Sequence, residues 1–260
     1  MSLALDTWVL FVRSIKKLVR TPILLFFALV QPIIFLVLFT QLFSSVGPLF
    51  SRAAGYGAGI TYTSFATAGI VLQNGFSSAL QSGTSVVDDL TSGFLEKELV
   101  TPVNRAAILL GRLLSDAFRV VVQSAIILVL AFALGAEIST GIAGVLMIFV
   151  VVAFFGLAWS GISLAIGLRT KSSETVFGLG GLLTFPLLFM STALVPTSLM
   201  PGWMQTVSNF NPISYAVNAV RALTLTGFDW GSIAEAFGII GLIALLTLGA
   251  TLYLFREVVS

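Results

Sequence analysis

Six stretches of this 260-residue chain carry no charged side chain: 21–51, 53–87, 120–136, 138–168, 175–220 and 236–255. A helix crosses the hydrocarbon of a bilayer in about 20 apolar residues, and most of these runs are long enough. Only 9% of the residues are charged, whereas a soluble domain carries roughly a quarter, so water is not the main solvent. Runs such as Ile142 to Leu157 show no period of two, which argues against a barrel. Helices that satisfy their own backbone are the remaining solution. The expected fold class is an all-α integral membrane protein with six transmembrane helices in a single domain, 1–260.

Several chemistries are excluded by absence. The chain has no cysteine and no histidine, which removes disulfides, Cys or His metal sites and Ser-His catalysis. None of its four lysines follows a glycine, so it lacks a phosphate-wrapping loop ending in Gly-Lys-Ser/Thr. The basic residues sit between the apolar runs and report topology, so no nucleic acid is expected as a partner.

Along the chain, residues 1–20 form an amphipathic helix, with Arg13, Lys16, Lys17 and Arg20 on one side and Trp8, Val12, Ile15 and Val19 on the other. It lies on the membrane surface or serves as a basic flank that orients the first span. Spans are expected at about 22–43, 58–83, 118–136, 141–168, 176–195 and 232–255. The second is polar: Gln73, Asn74 and Gln81 mark a possible polar path. Gly75, Ala79 and Gly83 recur every four residues, which suits close helix packing. Pro102 disfavours helix at Thr101, so the charged segment from Asp88 to Arg119 splits into two short helices, the loop proper covering 88–111. Arg112 and Asp116 have the i,i+4 spacing of a helix-stabilising pair. Residues 196–224 contain Pro196, Pro201 and Pro212 and read as two short helices, the first ending near Phe210 and the second starting at Pro212 with Asn211 as its N-cap. A broken pair of this kind suggests an extracellular re-entrant hairpin. With both termini in the cytoplasm, eleven Lys and Arg residues lie inside and two, Arg52 and Arg221, outside, as the positive-inside rule requires.

Energy for uphill transport would have to come from elsewhere. An ion-coupled carrier favours a carboxylate within a span, and the six uncharged stretches have none. That leaves a permease driven by a partner, an ion-coupled or passive channel, or a non-transporting assembly subunit.

Two runs carry a resemblance. GFLEKELVTPVNRAAILLGRLLSD, residues 93–116, resembles the cytoplasmic loop of type 2 ABC exporter permeases, the group that includes daunorubicin-resistance permeases. FPLLFMSTALVPTSLMPGWMQTVSNFNPISYAVNAVRAL, residues 185–223, resembles that family's outer signature, with Pro196, Met200, Pro201, Trp203, Asn211, Pro212, Tyr215 and Arg221 at matching places. With six spans the similarity covers essentially the whole chain. It implies a permease that forms a homodimer in the plasma membrane and exports a lipophilic drug, lipid or lipid-linked or polysaccharide substrate. ATP and Mg would bind in a separate ATP-binding cassette ATPase, with no cofactor on this chain and membrane lipid as its surroundings. By matching position, Leu90, Phe94, Leu95, Glu96, Lys97, Glu98 and Leu99 would form the coupling helix, and the outer residues a gate or an interfacial anchor.

Overall fold

The computed structural model describes residues 3–20, 22–43, 60–95 and 103–259, with positions 45, 49, 52, 53, 55 and 100. Among the described residues the regular structure is entirely helical. The helices are α1 (Leu3–Arg20), α2 (Pro22–Phe43), α3 (Tyr62–Thr91), α4 (Arg105–Ala133), α5 (Gly141–Thr170) and α6 (Ser173–Phe189). After a 3-10 turn at Thr197–Leu199 come α7 (Gly202–Phe210), α8 (Pro212–Leu225) and α9 (Trp230–Val259).

Helix α3 is the centre of the bundle, packed by α5, α4, α2, α8 and α6, while α9 covers α5 and α8. Its glycines explain how. A Cβ at Gly83 would run into the Ser163 backbone of α5, and one at Gly69 would strike the Ala193 carbonyl. A Cβ at Gly75 would meet the Phe155 ring at 3.1 Å, so the Gly75, Ala79, Gly83 stripe is a packing surface that lets backbones approach. Phe76 then meets Phe155 and Trp159 edge-on at 4.9 and 4.8 Å. On the other side of α5, Thr247 and Thr251 donate to the carbonyls of Ala158 and Gly161 at 3.0 and 2.8 Å, polar fastenings suited to a bundle in lipid.

Among the described residues four helices are long and apolar enough to cross a membrane: Phe26–Phe43, Ala106–Ala133, Gly141–Thr170 and Trp230–Glu257. The other two expected spans differ. Helix α3 is too polar to count by composition and continues past residue 83 to Thr91. Helix α6 has only 17 residues and stops at Phe189, six residues short of 195, where the backbone turns at Met190.

The segment 88–119, expected as two short helices, is largely taken up by the long helices on either side. Asn104 caps α4, its Oδ1 accepting from the Ala106 N–H at 2.9 Å, and one unbroken helix then runs to Ala133. Asp116 therefore lies inside a helix long enough to span and is buried. Pro102 lies outside the described residues. Helix α1 returns along α4: the Asn104 N–H donates to Asp6 Oδ2 at 3.2 Å, and Gly111 leaves room for Leu10. Its opposite face, with Trp8, Val9 and Val19, is exposed, which fits a helix with an apolar side toward lipid.

Candidate functional site

Antiparallel α3 and α4 set two different polar regions at the two ends of the bundle. At the end carrying the α3–α4 connection, the loop end, α1, α2, α3, α4 and α6 enclose a cavity of about 720 Å³. Its lining is amphiphilic. Arg13, Lys17, Arg112, Arg119, Asp88, Asp89 and Asp116 supply charge, and Phe27, Phe76, Phe177 and Phe185 supply aromatic wall.

The charges are paired both between helices and within one. Arg112 bonds Asp89 rather than Asp116, which corrects the i,i+4 pair expected from sequence: the carboxylate of the neighbouring helix is the one within reach. Asp116 instead accepts from Ser82 of α3 and pairs with Arg119 at 3.0 Å. Arg119 also donates to Gln81 at 3.4 Å. One ion pair, Arg112–Asp89, and hydrogen bonds from Ser82 to Asp116 and from Arg119 to Gln81 thus join α3 to α4, and no spacing rule along a single helix identifies these cross-helix contacts. Ser82 was the missed residue, although it sits one helical turn from Ser78 on the stripe that faces α4.

Of the expected polar path, Gln73 and Gln81 line the cavity. Asn74 does not: it is 0% exposed, and both its amide atoms lack a partner among the described residues.

The expected coupling helix is divided. Leu90 belongs to the last turn of α3, which ends at Thr91 with Ser92 as its C-cap, and Gly93 then takes φ +66, a left-handed turn natural to glycine. Leu90 therefore does not share a helix face with Phe94 and Leu95. Leu95 is 2% exposed, buried with Val86, Val87, Ile108 and Phe255 in the chain's own core. Phe94 receives the Arg13 guanidinium on its ring at 4.3 Å. Glu96, Lys97, Glu98 and Leu99 lie outside the described residues.

At the opposite, hairpin end, Asn211 and Pro212 begin α8 at the position the sequence signal marks. Asn211 Oδ1 accepts from the Ile213 N–H at 3.0 Å, while its Nδ2 donates to the Leu187 carbonyl at 2.6 Å. Helix α8 is embedded, with Ile213, Ala216, Val217 and Val220 in the core, whereas Pro201 and Trp203 on the α7 side are exposed. Pro196 is buried before the 3-10 turn. Tyr215 donates to the Asn209 carbonyl at 2.7 Å, closing the break between the two helices.

Arg221 does not mark a wetted boundary. It is 2% exposed, donates to the Thr192 and Ala193 carbonyls at 2.6 and 3.1 Å, and lies 3.8 Å over the Phe65 ring. A flat guanidinium can do both at once. Tyr62 adds a hydrogen bond to the Leu194 carbonyl at 3.3 Å. Together these side chains fasten the α6–α7 connection to α3 and α8.

Apolar helices of spanning length around an amphiphilic cavity define a helical membrane protein. Residues 6–225 match the model of the ABC-2 type transporter family, and the chain belongs to that family. It is 33% identical to a daunorubicin resistance ABC transporter permease of Streptomyces coeruleorubidus over 81% of this chain and 72% of the relative. It is 27% identical to a doxorubicin resistance ABC transporter permease, named as probable, of Mycobacterium tuberculosis over 83% and 75%. Nodulation protein J of Rhizobium leguminosarum is 28% identical over 68% and 70%.

Proposed function

We propose that this chain is the membrane-spanning permease of an ATP-binding cassette exporter, moving a lipophilic drug, lipid or lipid-linked substrate out of the cytoplasm with ATP hydrolysed by a separate subunit. The observation that carries this reading is the amphiphilic cavity of about 720 Å³ at the loop end, in a chain of the ABC-2 type transporter family. A cavity with paired charges and aromatic walls suits an amphiphile. The sequence has no phosphate-wrapping Gly-Lys-Ser/Thr loop, so ATP and Mg belong to the partner ATPase.

In this reading the chain sits in the plasma membrane as a homodimer, with both termini and the loop end cytoplasmic. The α3–α4 connection, residues 92–104, receives the ATPase. Phe94 and the segment 96–99 make the contact, and Leu95 transmits it from within the core. Rigid-body motion of a packed element is a known means of transmission. The hairpin end then gates or anchors the exit, with Trp203 at headgroup depth.

Co-expression with a candidate ATPase, followed by transport of a fluorescent amphiphile in inverted vesicles, tests the reading. Uptake should require both subunits and ATP. Uptake by this chain alone, driven by an imposed pH gradient, would favour ion coupling instead. One observation favours that second reading: Asp116 is a buried carboxylate within a helix of spanning length, where carboxylates often serve ion relays.

A further inference from the structure

The loop-end cavity holds more hydrogen-bond donors than the chain satisfies. Arg112 Nη1, Arg119 Nε, Gln73 Nε2 and Gln123 Nε2 are buried without a partner among the described residues, against a single acceptor there, Gln123 Oε1. All four residues line the cavity. Gln73 and Gln123 are 4% and 0% exposed, and a buried unpaired amide is costly enough to need an explanation. Asp89 and Asp116 do not supply it, since Asp89 is engaged by Arg112 and Asp116 by Arg119 and Ser82.

The donors are also arranged. Arg112, Arg119 and Gln123 share one face of α4 at i, i+7 and i+11, a line of about 16 Å at 1.5 Å per residue. Helix α3 runs antiparallel, so Gln73 reaches the same deep end as Gln123, while Arg13 and Lys17 of α1 join the shallow end near Arg112. Such a line is longer than a phosphate ion and is flanked by Phe27, Phe76 and Phe185. A cationic ligand would find Asp89 and Asp116 already paired with arginines.

We propose that this cavity binds one anionic amphiphile of the phospholipid type. Its phosphate lies against Arg112 and the α1 cations, its ester carbonyl oxygens accept from Arg119, Gln123 and Gln73, and its acyl chains follow the phenylalanines. The ligand's role as cargo rests on the export reading; its binding does not.

Trp159 provides the probe, because it stacks edge-on to Phe76 at 4.8 Å. In the full chain with Trp8, Trp203 and Trp230 replaced by Phe, detergent-solubilised protein is titrated with brominated-chain phosphatidylglycerol, brominated phosphatidylcholine or inorganic phosphate. Phosphatidylglycerol should quench Trp159 saturably, with about tenfold weaker apparent affinity for phosphatidylcholine and in Arg119→Gln. Since Arg119→Gln also removes an ion pair, Gln73→Leu is the decisive variant. It should weaken phosphatidylglycerol binding about fivefold while the thermal midpoint of the ligand-free protein holds or rises. Equal quenching by both lipids overturns the proposal, as does unchanged affinity in Gln73→Leu. Competition by inorganic phosphate at lipid-like concentrations would make the site one for a free oxyanion and overturn the lipid assignment. No ATPase is present in this assay, so its failure leaves the export reading standing, and that reading falls only on vesicle transport.

Discussion

Arginine is used differently at the two ends of this bundle. At the hairpin end Arg221 holds backbone, giving two hydrogen bonds to carbonyls of the α6–α7 connection and lying on Phe65. At the loop end Arg112 and Arg119 hold side chains, one carboxylate each, at the border of a cavity. The first arrangement fixes the path of the chain. The second joins two helices yet leaves room between them, and its Arg112–Asp89 pair is partly solvated, a setting in which ion pairs contribute little. Polar residues therefore shape the structure at one end and furnish a site at the other.

Substitutions can break that contrast. The largest effect is expected from Arg221→Leu, which leaves two buried carbonyls without a donor and removes the cation from Phe65. A loss of about 3 kcal/mol is expected, read as thermal unfolding in detergent, and Arg221→Lys should not restore it because an ammonium lacks the flat fork. An unchanged midpoint would remove the structural role given to Arg221. Asn211→Ala comes next, at about 1–2 kcal/mol, since it removes both the α8 cap and the Leu187 contact.

The hairpin end was the more legible in sequence for a physical reason. Asn211 followed by Pro212 is a local signal, and a cap is decided by neighbours in the chain. The Gly75, Ala79, Gly83 stripe was legible too, because small residues at helical spacing have one evident use. The cavity was not legible: it requires α1 to return along α4 through Asp6 and Asn104, 98 residues apart. Asp116 was read as the i,i+4 partner of Arg112, because spacing along one helix does not show the Ser82 hydroxyl and the Asp89 carboxylate that α3 brings alongside. Arg221 was counted with the outer charges because the positive-inside rule sees sequence position and not burial.

At the loop end a double-mutant cycle on Arg112→Gln and Asp89→Asn should give a coupling of only about 0.5–1 kcal/mol. A coupling several times larger would make that end as structural as the other. The smallest effect concerns Asp229, which sits just before α9 and accepts from the Ser232 hydroxyl and from the Ser232 and Gly231 N–H groups. The Ser232 hydroxyl is the main cause holding its carboxyl below the usual carboxylate value. Its stabilising contribution is therefore present above the unfolded pKa of about 4 and lost as pH falls through the lower folded value. Thermal midpoints of the native chain and Asp229→Asn should differ slightly at neutral pH and converge on acidification; a gap that widens in acid would reverse the sign.

The export reading depends most on which face of the membrane carries the loop end. The chain has no cysteine, so single cysteines can be placed at Val100 and Phe210, both strongly exposed, and labelled with a membrane-impermeant maleimide. Phe210→Cys should react in intact cells and Val100→Cys only after permeabilisation. Labelling of Val100→Cys in intact cells would put the α3–α4 connection on the side without ATP and contradict the proposed function.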